Sequence, residues 1–170
     1  NHLSRIMMRN LLPVFFLLAA VVFSAQAQKS DEDKADARAK IITKYINSKV
    51  AVDGGEKVSN DQVAQIKDAY VQYYEDRTAY KKRKKEFFKE YKAWRKAVSQ
   101  PVSPEEKAKL EEQKKEIAKE KKALDTEKKE MPVRRDNAIK EALNDTQAGI
   151  FTQLREEQQS KKKDDGADKK

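Results

Sequence analysis

The sequence contains no cysteine, and its only histidine, His2, lies next to the first residue. Without cysteine there can be no disulfide, no thiolate nucleophile and no thiolate metal site. The lack of any other histidine excludes a Ser-His-Asp catalytic set and zinc sites that combine histidine with cysteine. No glycine-rich phosphate-binding pattern is present. We therefore expect that the chain is not an enzyme and that it needs no metal or cofactor.

Glycine and proline are also scarce, with four of each, whereas charged residues make up 39% of the chain. Few helix breakers and many charges favour long, solvated α-helices over a sheet. Such a chain can bury only a thin hydrophobic core. The sequence therefore predicts an all-α, elongated bundle of about four helices in a single domain, residues 28–160, that is modestly stable or gains stability by dimerising.

The first 27 residues have the features of a secretory signal peptide. Arg5 and Arg9 precede an apolar run, Leu11 to Phe23, and the following Ser24 to Ala27 contains the exit pattern A-x-A. The alternative is an uncleaved membrane anchor, but the run is shorter than the roughly 20 apolar residues that span a bilayer. We expect cleavage at the end of this segment, with residues 1–6 as over-called sequence upstream of the initiator. Export would place the mature chain in the periplasm, or outside a cell that lacks an outer membrane.

Helix start and stop signals divide the mature chain. The predicted helices run from about Glu32 to Ser48, from Asn60 to about Val98, from Pro104 to Met131, and from near Arg134 with an interruption near Asn144. The charged residues 161–170 contain Gly166 and are predicted to form a disordered tail. The lysines of this tail could contact a membrane surface.

The second helix carries most of the aromatic residues of the mature chain. Its apolar residues recur at steps of three, four and seven, as in a heptad seam. They are Val63, Ile66, Tyr70, Tyr73, Tyr80, Phe87, Tyr91, Trp94 and Val98. Arg77 and Lys84 occupy two of the predicted core positions, where their aliphatic stems can lie along apolar surface.

The third helix has one apolar residue in seven, at Leu110, Ile117, Leu124 and Met131. One apolar residue per heptad makes a weak seam, so we expect this helix to be largely solvated. Pro132 is expected to end it, because proline lacks the amide donor and its ring clashes with the preceding turn.

Three helix starts share the capping-box pattern. In it, the capping side chain bonds the backbone N–H three positions later, and the Gln or Glu side chain at that position bonds back to the N–H of the capping residue. Two of them read Val58-Ser59-Asn60-Asp61-Gln62 and Leu143-Asn144-Asp145-Thr146-Gln147. The third reads Val102-Ser103-Pro104-Glu105-Glu106. By themselves these motifs predict helix starts and no particular function.

The first two motifs resemble the L-T-x-x-Q signature of the Spy/CpxP family of small periplasmic proteins. Val58 and Ser59 replace Leu and Thr in one motif, and Asn144 replaces Thr in the other, which preserves an apolar residue and a capping oxygen in both. The similarity covers the plan of the chain from about Ser48 to Gln159, with two motifs on either side of a long helical middle.

This resemblance implies a four-helix, cradle-like subunit that forms an antiparallel dimer. It also implies an ATP-independent chaperone or envelope-stress protein that holds unfolded or envelope proteins on its concave face. In that family the motif residues mainly shape helix junctions, so the resemblance assigns an architectural role to Val58, Ser59, Gln62, Leu143, Asn144 and Gln147.

A basic run at residues 81–85, followed by aromatic residues, indicates a surface for clients. Such a surface can attract a client by long-range electrostatics and hold its apolar segments weakly. Tyr74 and Phe88 lie beside the predicted seam, where exposure is expected. The candidate client contacts are Tyr74, Lys81, Lys82, Arg83, Lys85 and Phe88. The alternative is that the aromatics are all core and the lysines are an ordinary solvated face.

Two other functions fit the same composition. One is a Skp-like trimeric chaperone, in which the second and third helices would be coiled-coil arms. The other is a structural coiled coil that binds anionic envelope polymers or lipid headgroups. Nucleic acid suits the positive charge but not an exported protein, so we expect no nucleic-acid partner.

Overall fold

The computed structural model of the chain describes the backbone of residues 31–167 and the side chains of residues 31–160. The predicted signal peptide, residues 1–27, lies outside this part. The described residues form four α-helices and no strand, which confirms the predicted all-α fold. The helices are α1 (31–53), α2 (Asn60–Val98), α3 (Pro104–Ala142) and α4 (Asp145–Ala167). None of them has an apolar stretch that would reach across a bilayer.

The first helix continues beyond the predicted end at Ser48, as far as residue 53. Val50 explains the extension, because its side chain is buried in the core. The chain then turns at Gly54, whose φ of 76° lies in the left-handed region that glycine adopts without steric cost. The side-chain oxygen of Asn47 accepts the N–H of Val58 at 2.8 Å and so holds the connection against α1.

The second and third helices form an antiparallel hairpin joined by residues 99–103. Both starts have the predicted capping boxes, at Ser59 and Ser103. The cross-helix contacts follow an antiparallel order. Asp76, in the first half of α2, pairs with Arg134 of the second half of α3 at 2.9 Å. At the connected end of the hairpin, which we call the tip, Trp94 Nε1–H donates to the carbonyl of Leu110 at 3.0 Å.

All four helices meet at one end of the hairpin, which we call the base. The base core consists of Ala35, Ala39, Ile42, Ile46, Val50, Val58, Ile66, Ala69, Tyr70, Ile139, Leu143, Ile150, Phe151 and Leu154. On α1 these side chains recur every three or four residues, which puts one apolar stripe of that helix against the other three. The apolar residues of both L-T-x-x-Q-like motifs, Val58 and Leu143, belong to this core.

Beyond the base the hairpin continues as two helices only, and we call residues 77–131 the outer hairpin. Its core is small: Tyr80, Phe87, Leu124 and Met131 are buried, and Tyr91 and Ile117 are partly buried against them. The predicted solvation of α3 is confirmed, since most of its residues before Leu124 are exposed.

The prediction that Arg77 and Lys84 occupy core positions of the seam is wrong, because both side chains are exposed. The buried residues Tyr80 and Phe87 are seven positions apart. This spacing fits a single partner helix, α3, that offers one apolar residue per heptad. Val98, at the end of the predicted seam, is also exposed.

The predicted end of the third helix at Met131 is wrong as well, since α3 runs through Pro132 to Ala142. An internal proline costs about 3 kcal/mol through a lost hydrogen bond and a ring clash. The buried stripe of α3 continues across it at Met131, Arg135 and Ile139, and this packing offsets the cost. The interruption predicted near Asn144 is present and separates α3 from α4.

At the other end of the chain, α4 is helical as far as Ala167, and residues 168–170 of the predicted tail, 161–170, lie outside the described part. Extending an existing helix adds one hydrogen bond for each residue fixed, without the cost of a new nucleus. A charged segment can therefore continue a helix that the base has already formed.

Candidate interaction surface on the second helix

One side of the outer half of α2 presents cations at helical spacing. This basic face consists of Arg77, Lys81, Lys84, Lys85, Phe88, Lys92 and Arg95. Successive members are three or four residues apart, except for the adjacent pair Lys84 and Lys85. This spacing places all of them on a single side of the helix. All seven are exposed, and from Arg77 to Arg95 the face extends about 27 Å at 1.5 Å per residue.

The cations of the basic face are not neutralised by the rest of the described chain. Among residues 31–160, no acidic side chain forms an ion pair with any of the six. Phe88 sits among them with 46% of its surface exposed, and the ammonium of Lys84 lies 5.8 Å from its ring centre. The face therefore combines charge that can act at long range with an aromatic ring that can make apolar contact.

At the base end the basic face leads into a groove of about 590 Å³ between α1 and α2. Tyr74, Arg77 and Lys81 line it from α2, and Arg38 and the 55% exposed Ile41 line it from α1. Tyr74 is half-buried, with its ring 5.6 Å from that of Tyr73 and 6.2 Å from that of Tyr70. The groove thus adds apolar surface to the end of the row of cations.

The six predicted client contacts divide between two settings. Tyr74, Lys81, Lys85 and Phe88 share one side of α2, because they are seven, four and three residues apart. Lys82 is exposed on the neighbouring side.

Arg83 is different, because it turns to α3 and pairs with Glu120 at 2.8 Å and Glu127 at 2.6 Å. The hydrogen bond with Glu120 raises the pKa of the Arg83 guanidinium further. Its charge therefore serves the contact between α2 and α3.

The two L-T-x-x-Q-like motifs meet in the base although they are far apart in sequence. The Gln62 Nε2–H donates to Gln147 Oε1 at 2.9 Å. Each glutamine also closes its own capping box: Gln62 accepts from the N–H of Ser59 at 2.9 Å, and Gln147 accepts from that of Asn144 at 3.2 Å. The starts of α2 and α4 are thus joined by one amide–amide hydrogen bond.

Gln147 is the centre of this junction and only 1% of its surface is exposed. Besides its bonds to Gln62 and Asn144, its Nε2–H donates to the carbonyl of Glu56 at 3.0 Å. A buried amide needs such partners, because leaving one unsatisfied costs about 1–3 kcal/mol. The geometry is that of a junction between helices and offers no opening for a ligand.

A second polar cluster in the base surrounds Arg135, which is almost fully buried. Its guanidinium carbon lies 5.1 Å from the ring centre of Tyr70 and 4.7 Å from that of Tyr73. Asp136 accepts from Arg135 and, at 3.0 Å, from Arg155 of α4. Burial raises the pKa of Tyr70, opposed by the nearby guanidinium groups, so its hydroxyl stays neutral.

Sequence reasoning missed part of this arrangement. Lys92 and Arg95 could have been added to the basic face from their spacing alone, since they follow Phe88 by four and seven residues. The contribution of Arg38 and Ile41 from α1 had no signal in the sequence, because it depends on how α1 packs against α2.

Comparison with protein-family models, with curated proteins and with solved structures gave no match. The likeness to the Spy/CpxP family therefore consists of the two motifs and the helical plan, and family membership stays a prediction.

Proposed function

We propose that the chain is an exported, ATP-independent chaperone or envelope-stress protein that holds unfolded or envelope proteins along the basic face of α2. The observation that carries the proposal is Phe88, a 46% exposed aromatic ring within a 27 Å row of cations without acidic partners in the described chain. Charge recruits a client from a distance, and the ring makes a short-range contact that most unfolded segments can satisfy.

The arrangement suits weak and unselective holding. One exposed ring and a half-buried tyrosine offer little apolar area, so no single client segment is held tightly. Lysine stems are long and mobile, which lets the same surface adapt to many sequences. A holding chaperone that works without ATP needs such reversible contacts, because no energy source would release a tightly bound client.

The proposal is tested by the aggregation of a denatured model protein at near-stoichiometric ratios of the chain. A Lys81→Glu/Lys85→Glu/Phe88→Ser variant should lose most of the protection. A matched control, Lys119→Glu/Lys122→Glu, makes the same charge change at exposed positions of α3 and should keep it. No protection by the unaltered chain at any salt concentration would end the proposal.

A structural role in binding anionic envelope polymers or lipid headgroups is favoured by the same six cations. Salt separates the two functions, because screening acts on exposed charges and leaves apolar contact in place. Binding that vanishes completely by moderate salt would favour the structural role. Binding that persists in part, and that falls further with Phe88→Ser, supports the chaperone.

The oligomeric state bears on the family prediction and is measured by light scattering. A dimer is what the Spy/CpxP resemblance implies, and a trimer would favour the Skp-like alternative. The proposed use of the basic face does not depend on which of the two is found, provided that the face stays exposed.

A further inference from the structure

The opposite side of the outer hairpin carries a groove that the proposed function leaves unused. It has a volume of about 940 Å³ and lies between α2 and α3. Its apolar lining is formed by Phe87, Trp94 and Ile117. Ala93 and Ala97 border it on α2, and their small side chains leave the space between the helices open.

The charge of this groove is opposite to that of its surroundings. Residues 77–98 include ten basic and only two acidic residues, and both acids, Glu86 and Glu90, line the groove. Glu112 and Glu116 face them from α3. Among residues 31–160 none of these four carboxylates forms an ion pair.

The two cations at the groove do not cancel this charge. Arg83 is already neutralised by Glu120 and Glu127, at 2.8 and 2.6 Å. Lys109 is then the only other basic residue in the lining. Four carboxylates against one ammonium make the groove acidic in a chain whose net charge is +9.

We propose that this acidic groove binds a cationic amphipathic helix of another protein. The carboxylates stand in two pairs, each four residues apart, so those of a pair are separated by about 6 Å along the helix axis. A helix with lysine or arginine at the same spacing would match both rims. Its apolar stripe would lie on Phe87, Trp94 and Ile117, as in other helix-in-groove complexes.

This proposal does not rest on the chaperone function, because the groove and the basic face lie on different sides of α2. A second copy of the chain is a less suitable occupant. Its own basic face carries a single exposed apolar residue, Phe88, and two chains of the same high net charge repel each other.

Trp94 provides a reporter at the site, because it is the only tryptophan in the chain. The full-length protein is titrated with a synthetic leucine–lysine peptide that places lysine at every third or fourth position, while Trp94 fluorescence is recorded. The expected result is a saturable blue shift. A leucine–glutamate peptide of the same pattern should give none.

Variants place the binding in the groove. Glu90→Gln/Glu116→Gln removes one carboxylate from each rim and should weaken peptide binding roughly fivefold. Glu105→Gln/Glu111→Gln makes the same charge change at exposed positions outside the groove and should leave the affinity unchanged. Lys81→Glu/Lys85→Glu, which disables the basic face, should not weaken it either.

Three outcomes would overturn the proposal: equal responses to the two peptides, equal affinities of the groove variant and its control, or no response at all. A shift that grows with protein concentration in the absence of peptide would also overturn it, in favour of a second copy as the occupant. Since the aggregation assay uses the basic face, failure of either proposal leaves the other standing.

Discussion

The two long helices α2 and α3 run through both the base and the outer hairpin, yet the two regions are held together differently. In the base, fourteen buried residues from all four helices and their connections form one core. In the outer hairpin the core consists of four buried residues. The difference has two causes: each helix of the outer hairpin has a single partner, and α3 brings only one apolar residue per heptad to that contact.

Polar groups follow the same division. The base buries Gln147 and Arg135 and gives both specific partners, so its geometry is strongly constrained. The outer hairpin keeps its charges at the surface, where ion pairs add at most about 1 kcal/mol each. We infer that the base sets the stability of the chain and that the outer hairpin contributes little to it.

The largest expected effect comes from opening the base core. Phe151→Ala removes a fully buried ring and should destabilise the chain by about 3–5 kcal/mol. Phe87→Ala, in the outer hairpin, should cost less, roughly 2 kcal/mol, because solvent can enter the space left between two helices. Urea unfolding followed by circular dichroism gives both values. Equal losses would contradict the division into a dense base and a thin hairpin.

Next in size is the junction between the two motifs. Gln147→Leu leaves the N–H of Asn144, the carbonyl of Glu56 and the amide of Gln62 without their partner, and should cost about 2–3 kcal/mol. The same change at Gln113, which is exposed in the outer hairpin, should stay within about 0.5 kcal/mol. Comparing the two midpoints in urea tests the junction. A small loss at Gln147 would mean that water replaces its partners.

A smaller effect is expected at the hairpin tip. Ser103→Ala removes the capping oxygen that accepts from the N–H of Glu106, and should cost about 1 kcal/mol or less. Hydrogen exchange should become faster only in the first turns of α3, because the tip has few contacts to transmit the change. Faster exchange in α4 would show that tip and base are coupled more closely than their packing indicates.

The smallest effect concerns pH. The hydrogen bond from Arg134 lowers the pKa of Asp76, which is 3.8 without such interactions, and backbone and side-chain hydrogen bonds with Ser103 lower that of Glu106. A group whose pKa is lowered by folding stabilises the fold above its unfolded pKa, and this contribution disappears as the pH falls through the folded value. Stability should therefore decline below about pH 4, and less so for Asp76→Asn. An unchanged acid profile in that variant would show that its pair with Arg134 is not formed in solution.

Much of the fold could be predicted because its determinants are local. The span of α2 and the capping boxes at Ser59, Ser103 and Asn144 depend on residues a few positions apart, and all were predicted correctly. The exposed side of α2 was partly predictable for the same reason, since helical spacing groups Tyr74, Lys81, Lys85 and Phe88.

Errors in the prediction arose where contacts between residues that are distant in sequence determine the structure. Pro132 was expected to end α3, but packing of its neighbours against the base offsets the local cost. The client contacts stay a prediction, and among them Arg83 differs in being paired with two glutamates of α3. The spacing of residues along α2 does not distinguish Arg83 from the lysines beside it. The pairing of Arg83 depends on where α3 lies.

The sequence by itself determined an all-α chain of long helices, because few glycines and prolines, regular apolar spacing and good caps act within a few residues of each other. Only the tertiary structure decided that Gln62 meets Gln147 in the base and that the acids Glu86 and Glu90 face those of α3 across a groove. These pairings depend on which sides of the helices pack together. That choice follows from the combined burial of the whole base core and is not contained in any one segment.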